Sequence, residues 1–349
     1  MMSFSSLPPE LVLHIAATLH SARDIYALMS VNRGLYRSLK RYLYQHNVDH
    51  ESSTGLLRAV EIGSLSATYC FLSLPRLNVH VRNDAGQTVL HAAAQQHEKP
   101  YIMTILLRDS RIDVNATDTE GRTPLSCAAS NDDSRPLGIL LRHNAVDINM
   151  SDFGGHTPFW SAVSEGNKAA VKKLLDDTRL DPNISPTEIS PLAIAAGRGS
   201  MELLETLLSD QRMAVNSRGI LHPLISALFH KNEGSILRLL RVPNLNVNCS
   251  FGHMSALMWG IELRQTAIVV EILEHDQIDV NHRDDAGRTA LMLAIGKRND
   301  EVSMALLKRQ DINLTVGNVK EESALDYALK SGNSKMLREI RKRLAGSNS

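Results

Sequence analysis

Few side chains in this sequence have the spacing of metal ligands or of catalytic nucleophiles. His46 and His50 are four residues apart, so on a helix they could face the same way as a metal-binding pair. No further Cys or His is arranged around them, and we interpret both as surface residues. The three cysteines Cys70, Cys127 and Cys249 include no C-x-x-C pair, so we expect neither a disulfide nor a zinc site. We expect Cys249 to be an exposed, ordinary thiol. An odd, sparse set of cysteines indicates a reducing compartment, the cytosol or the nucleus.

Motifs that carry catalysis or bind nucleotides are absent from the sequence. There is no G-x-x-x-x-G-K-[ST], G-x-G-x-x-G after a strand, H-E-x-x-H or G-x-S-x-G. The sequence therefore predicts no enzyme, no catalytic residue, no cofactor and no metal.

The composition excludes further classes of partner. The 38 Lys and Arg residues balance the 38 Asp and Glu residues, so no bulk field attracts nucleic acid or an anionic membrane. No segment approaches the roughly 20 consecutive apolar residues that cross a bilayer, and the first residues do not read as a signal peptide. We expect a monomer that binds neither nucleic acid nor a membrane.

A repeat of 32 to 35 residues organises most of the chain. A residue that can begin a helix recurs at Thr54, Thr88, Thr123, Thr157, Ser190, His222, Ser255, Thr289 and Ser323. An Asn that closes the repeat follows in phase at Asn115, Asn149, Asn183, Asn216, Asn248 and Asn281. Two landmarks that stay in phase indicate a repeat protein.

The spacing predicts one helical hairpin for each repeat. Thr or Ser caps the first helix, and Pro124 or Pro158 at the next position suits its first turn. A Gly such as Gly166 or Gly199 turns the chain into a second helix with paired leucines. The D-x-x-G stretch that precedes the next cap, such as that beginning at Asp118, predicts a β-turn, which we call the finger.

These features resemble the ankyrin family, with its T-P-L-H-x-A-A pattern, over residues 54 to about 344. The resemblance implies an all-α solenoid of about nine helix-turn-helix repeats. It also implies a capping role for His91, the one position at which this sequence keeps the His of the family pattern. The glycine between the helices is replaced at His97, Asp132, Lys231, Arg264 and Arg298. The fingers at 185–190, 217–222 and 250–255 lose the regular pattern, so the sequence leaves their geometry open.

The last repeat has the character of a terminal cap. A solenoid end must present a polar outer face, and the final helix from Ser334 to Leu344 is rich in basic residues. We interpret the run Arg341 to Arg343 as part of this solvated cap rather than as a nuclear address.

The first 45 residues have a different pattern, with apolar residues at the spacing of three short helices. Leu7-Pro8-Pro9-Glu10-Leu11, then Asp24 and Val31-Asn32-Arg33, resemble an F-box. The resemblance implies docking onto Skp1, a subunit of cullin-type ubiquitin ligases. By the same resemblance, the residues that would face Skp1 or brace that face are Leu7, Pro8, Leu11, Ile15, Val31 and Leu35.

Two interpretations of the N-terminal helices stay open. The domain 1–45 is either an F-box-like module or only a cap for the open end of the solenoid. Residues 46–53 are short and polar, and we interpret them as a linker to the array at 54–349.

Large apolar residues at finger or helix-start positions are candidates for partner binding, because ankyrin-like stacks bind proteins with their fingers and first helices. The candidates are Phe153, Trp160, Ile220, Leu221, Phe251 and Met254. Trp259 lies where the family buries an apolar residue, so we expect it in the core.

The sequence thus predicts a non-catalytic adaptor that docks Skp1 and binds an unknown protein substrate through its array. The alternative is an ankyrin scaffold or inhibitor without a ligase, whose N-terminal helices only cap the solenoid. An ankyrin array that regulates an attached enzyme is disfavoured, because the first 53 residues are too few for a catalytic fold.

Overall fold

The computed structural model describes residues 8–19, 22–31, 33–50, 54–96, 100–184, 189–216, 219 and 221–346. Helices make up about 54% of the chain, with almost no sheet. The chain divides into two compact units. The first ends at Ala162 and also contains Ala169–Leu180, while the second contains Val163–Lys168 and the chain from Asp181 onward.

Three helices open the first unit: α1 (Pro9–Ala17), α2 (Ala22–Ser30) and α3 (Arg33–His50). Their apolar faces meet in a small core, since helices this short are stable only when they bury a common face. Its buried members are Val12, Ala16, Ile25, Met29, Leu35 and Leu39.

Helix α3 is longer than the sequence indicated. It continues to His50 through part of the segment 46–53 that we interpreted as a linker, while residues 51–53 lie outside the described residues. The interpretation of His46 as a surface residue is wrong, because its side chain is only 6% exposed. The cause is tertiary: this end of α3 packs against the helices that follow it.

Antiparallel helix pairs follow α3 in the first unit. They are α4 (Thr54–Glu61) with α5 (Leu65–Leu72), α6 (Val89–Ala94) with α7 (Tyr101–Leu106), and α8 (Pro124–Ala129) with α9 (Ser134–Leu141). The division between the units falls within α10 (Pro158–Glu165) and α11 (Lys168–Leu175).

The second unit continues in the same way. Its pairs are α12 (Pro191–Arg198) with α13 (Met201–Leu208), α14 (Pro223–Phe229) with α15 (Glu233–Leu240), α16 (Ala256–Glu262) with α17 (Thr266–Leu273), α18 (Ala290–Gly296) with α19 (Asp300–Lys308), and α20 (Ala324–Ser331) with α21 (Ser334–Gly346). Two-residue strands β1 (Ser250–Phe251) and β2 (Met254–Ser255) lie between α15 and α16.

Local sequence explains where the first helices begin. The Thr123 and Ser190 hydroxyls accept hydrogen bonds from the backbone N–H groups of Ser126 and Ala193, both at 3.2 Å. A proline at the next position adds no unsatisfied donor in α8 or α12. These caps fix the start of each hairpin and hence the position of the finger before it.

Three turns between paired helices have a left-handed residue where the sequence has no glycine. Lys231, Arg264 and Arg298 have φ angles of 56°, 58° and 58°. An L-residue is strained in this region, so packing of the two helices, rather than residue preference, sets these turns. Asp132 replaces the same glycine but does not have a positive φ.

The closing asparagines join one helix pair to the next. Asn248 Nδ2 donates to the Gln277 carbonyl at 2.7 Å, and its Oδ1 accepts from Asp279 N–H at 2.8 Å. Asn281 bonds to Asp311 and Asn313 in the same way. The recurring Asn is therefore a bridge between successive pairs.

The last helix only partly fits the interpretation of a solvated cap. Arg343 donates to the carbonyls of Leu307 and Arg309, so it is tied to the preceding pair, whereas Arg341 and Lys342 are exposed. Across the described ranges, every helix is too short or too polar to cross a membrane.

Candidate functional site

The fingers of the first unit are rigid turns. Asp118 Oδ1 accepts from the backbone N–H groups of Glu120 and Arg122, each at 2.9 Å, and Gly121 has a φ of 80°. Phe153 N–H donates to the Glu120 carbonyl at 3.0 Å, which joins one finger to the next. Because backbone bonds hold both fingers, side chains at their tips are presented at little entropic cost.

His91 connects a first helix to the finger after it. Its Nδ1 accepts from Thr88 N–H at 3.1 Å, and its Nε2 donates to the Arg122 carbonyl at 2.8 Å. Burial lowers the pKa of His91, which keeps the ring neutral for this pair of bonds. This arrangement agrees with the capping role that the family resemblance implied.

One cluster brings together atoms that could ligate a metal. Ligand atoms of His91, Asp118 and Cys127 lie within 4.8 Å of one another. Both His91 nitrogens are engaged, the Asp118 carboxylate accepts Arg122 Nε at 2.9 Å, and burial raises the pKa of Cys127 to about 11. A cysteine ligates zinc as the thiolate, which a raised pKa disfavours, so these residues fit a hydrogen-bonded finger and not a metal site.

The predicted partner-binding residues of the first unit differ in exposure. Phe153 is 81% exposed at a finger tip. Trp160 is half-buried, and its ring centroid lies 4.0 Å from that of His156. Phe153 is therefore available as an anchor, whereas Trp160 offers only part of its surface.

An aromatic cluster forms in the second unit, beside a finger whose sequence departs from the family pattern. The Phe229 ring lies 5.5 Å from that of Phe251 and 4.8 Å from that of Trp259, both edge-on, and Trp259 Nε1 donates to the Phe251 carbonyl at 2.9 Å. We call Phe229, Phe251 and Trp259 the aromatic cluster. All three are half-buried. Trp259 therefore packs against its neighbours at the edge of the core rather than within it.

The finger beside this cluster is an ordered hairpin, although residues 250–255 lack the D-x-x-G pattern. Ser250 pairs with Ser255 and Phe251 with Met254, and the turn residues Gly252 and His253 have φ angles of 54° and 64°. Two left-handed residues give the turn that matches hairpin twist. Met254 is half-buried here.

The other two candidates lie in the finger before α14. Leu221 is half-buried and forms an isolated parallel bridge with Ile189, while Ile220 lies outside the described residues. The sequence did not indicate Phe229 as a candidate, because this residue is not part of the family pattern. It contacts Phe251 only in the tertiary structure.

The expectation of an exposed Cys249 is also wrong. Its side chain is 6% exposed, and burial raises the pKa of its thiol to about 12. Cys249 lies between Asn248, which bonds to the next helix pair, and β1, which begins at Ser250.

The N-terminal helices carry exposed apolar residues. Leu11 and Val31 are 51% and 61% exposed, Ile15 is half-buried, and Leu35 is buried in the three-helix core. Pro8 is exposed, and Leu7 lies outside the described residues. Among the residues predicted to face Skp1, Leu35 is too buried to contact a partner, so it can only support the exposed surface from the core.

Comparison with known proteins identifies the repeats. The family model described as ankyrin repeats, three copies long, matches residues 56–152, 93–186, 224–316 and 257–347. The chain belongs to the ankyrin-repeat family. Ankyrin repeats indicate a protein–protein interaction module.

A curated relative shares part of the array. The human transient receptor potential cation channel subfamily A member 1 is 28% identical over 126 residues, which are 34% of this ankyrin-repeat chain. The match covers 11% of the relative's length, so the likeness concerns the repeats and not the channel.

Proposed function

We propose that the chain is a substrate-recognition adaptor of a cullin-type ubiquitin ligase, in which α1–α3 bind Skp1 and the ankyrin array binds the substrate. The observation that carries the proposal is the exposure of Leu11 and Val31, at 51% and 61%, where the F-box resemblance expects contact with Skp1. Exposed aliphatic side chains supply the apolar contact area that a binding site needs.

The buried layer beneath these residues supports the same role. Leu35 is 3% exposed and packs with Val12 and Ala16, so the surface has a fixed base. A preorganised surface loses little side-chain entropy on binding.

Substrate binding is proposed for the fingers and first helices. The exposed Phe153 and the partly exposed edge of the aromatic cluster supply large apolar contact area, which is typical of residues that dominate binding energy. The array in this proposal has nine repeats, beginning near 54, 88, 123, 157, 190, 222, 255, 289 and 323.

The alternative role, a scaffold or inhibitor with a helical cap, also has a supporting observation. The Tyr44 ring on α3 lies 4.6 Å from the Phe71 ring on α5, and Asn47 Oδ1 accepts from Gly55 N–H at 2.8 Å. These contacts cover the first helix pair whether or not Skp1 binds. The two roles therefore differ in one property, affinity for Skp1.

The deciding experiment measures binding of purified Skp1 to the full chain by calorimetry. Leu11→Asp and Val31→Asp should each weaken binding about 30-fold, the effect of losing an anchor worth about 2 kcal/mol. Tyr69→Asp is the matched control, since Tyr69 is 67% exposed but lies on α5.

Thermal unfolding of the same variants checks that the fold is intact, because charged substitutions at exposed positions cost little stability. Absence of Skp1 binding by the wild-type chain would eliminate the ligase role and leave the scaffold. Equal weakening by Tyr69→Asp would show that the N-terminal helices are not the docking surface.

A further inference from the structure

A second candidate surface lies between the second helices α5 and α7, away from the fingers. A groove of about 640 Å³ is lined there by the side chains of Tyr69, Leu72 and Ile105, with Arg108 and Arg111 among the residues at its rim. This volume falls within the roughly 300–1,000 Å³ of typical ligand pockets.

Exposed apolar residues concentrate on α5 and α7, the two helices that form this groove. Tyr69 and Tyr101 are 67% and 70% exposed, and Leu65 is 39% exposed. On the second helices of the described pairs, the only other exposed large apolar side chain is Met201, on α13. Solenoid surfaces of this kind are normally polar, so the concentration on α5 and α7 indicates a contact surface.

The rim of the groove carries an uncompensated positive charge. Arg111 pairs with Asp109 at 2.5 Å, and this hydrogen bond holds the pKa of Asp109 below its usual value. The side chain of Arg108 is exposed, and its guanidinium makes no hydrogen bond or ion pair within the described part of the chain. Arg108 is thus free to receive an anionic group from outside.

We propose that the groove binds an acidic, amphipathic segment of a partner protein. One large apolar side chain of that segment lies between Tyr69, Leu72 and Ile105, and a neighbouring carboxylate pairs with Arg108. Charge complementarity selects this occupant, because a basic segment would meet like charge at the rim. The inference is independent of Skp1 binding, which concerns α1–α3.

The test uses two small probes that reproduce the anchor with and without its charge. 3-Phenylpropionate and its neutral amide, 3-phenylpropanamide, are titrated against the full chain by saturation-transfer difference NMR. Arg108→Gln should weaken binding of the carboxylate about fivefold, the effect of one partly exposed ion pair, and leave binding of the amide unchanged.

Two further variants control the experiment. Arg142→Gln removes an exposed arginine at the equivalent position after α9, and it should change neither affinity. Ile105→Trp fills the groove and should weaken both probes, with circular dichroism confirming that the helices are retained.

Three results would overturn the inference. The first is a wild-type chain that binds neither probe saturably. The second is an equal effect of Arg108→Gln on both probes, since the charge would then have no role. The third is a concentration-dependent dimer abolished by Tyr69→Asp, since a second copy of the chain would then be the occupant.

Discussion

The cap of helix α14 makes a specific prediction about acid sensitivity. His222 stands where other helices have Thr or Ser, and it is 6% exposed. Its Nδ1 accepts from Leu224 N–H at 3.2 Å, and its Nε2 donates to Asn216 Oδ1 at 3.3 Å. Protonation of Nδ1 would remove the cap, and burial lowers the pKa of His222 from 6.5 to about 4.

The sign and size of the effect follow from this pKa. The unfolded chain takes up a proton near pH 6.5, whereas the folded chain resists it until about pH 4, so the His222 contribution is complete above pH 6.5 and lost as the pH falls. One pKa unit corresponds to about 1.4 kcal/mol. The free energy of unfolding should therefore fall by about 2 kcal/mol between pH 8 and pH 5 through His222 alone.

The assay is urea unfolding followed by circular dichroism at both pH values. His222→Ser keeps a side-chain cap, as in Ser190 and Ser255, but cannot titrate, so it should lose about 2 kcal/mol less than the wild type. His91 also has a lowered pKa, but it is present in both proteins and cancels. His80→Ser, at an exposed site, is the control.

Identical losses in the wild type and His222→Ser would refute the reasoning. They would mean that the ring is not held neutral by burial, or that the cap contributes nothing to the unfolding equilibrium. A loss in His80→Ser that is as small as in His222→Ser would refute the assignment to this position.

Two further predictions concern stability. Arg264→Gly relieves a left-handed residue with a φ of 58° and should raise the free energy of unfolding by up to about 1 kcal/mol, whereas Asp132→Gly should lower it by roughly 0.5–1 kcal/mol. A gain in both variants, measured by urea unfolding, would contradict this explanation of the turns. Trp259→Ala removes two ring contacts and should cost about 3 kcal/mol, while Phe153→Ala should change stability by less than about 0.5 kcal/mol. Equal thermal midpoints for these two variants would show that the aromatic cluster does not stabilise the fold.

The repeat register was predictable because its signals are local. A Thr or Ser cap, a following proline and a finger that begins with Asp act within a few residues of one another. Asp118 and Thr123 adopt the roles that their spacing indicated. The closing Asn was visible as a landmark, but its bridge to the next pair was not, because the acceptor carbonyls lie about thirty residues further on.

The partner-binding candidates were predicted less well. Exposure depends on what packs above a side chain, so Phe153 and Phe251, which look alike in the sequence, differ in the structure. Phe251 packs edge-on against Phe229, from the preceding helix pair. Among the candidates that the structure describes, only Phe153 is as exposed as its finger position suggested.

The sequence by itself determined the helical hairpin, its period and the turns that contain glycine, because hydrophobic spacing, caps and glycine preferences act between near neighbours in the chain. The tertiary structure alone decided that α3 extends over the first helix pair, that His46 and Cys249 are buried, and that Arg264 adopts a left-handed conformation. These outcomes depend on contacts between successive pairs, where burial free energy outweighs the preference of any single residue.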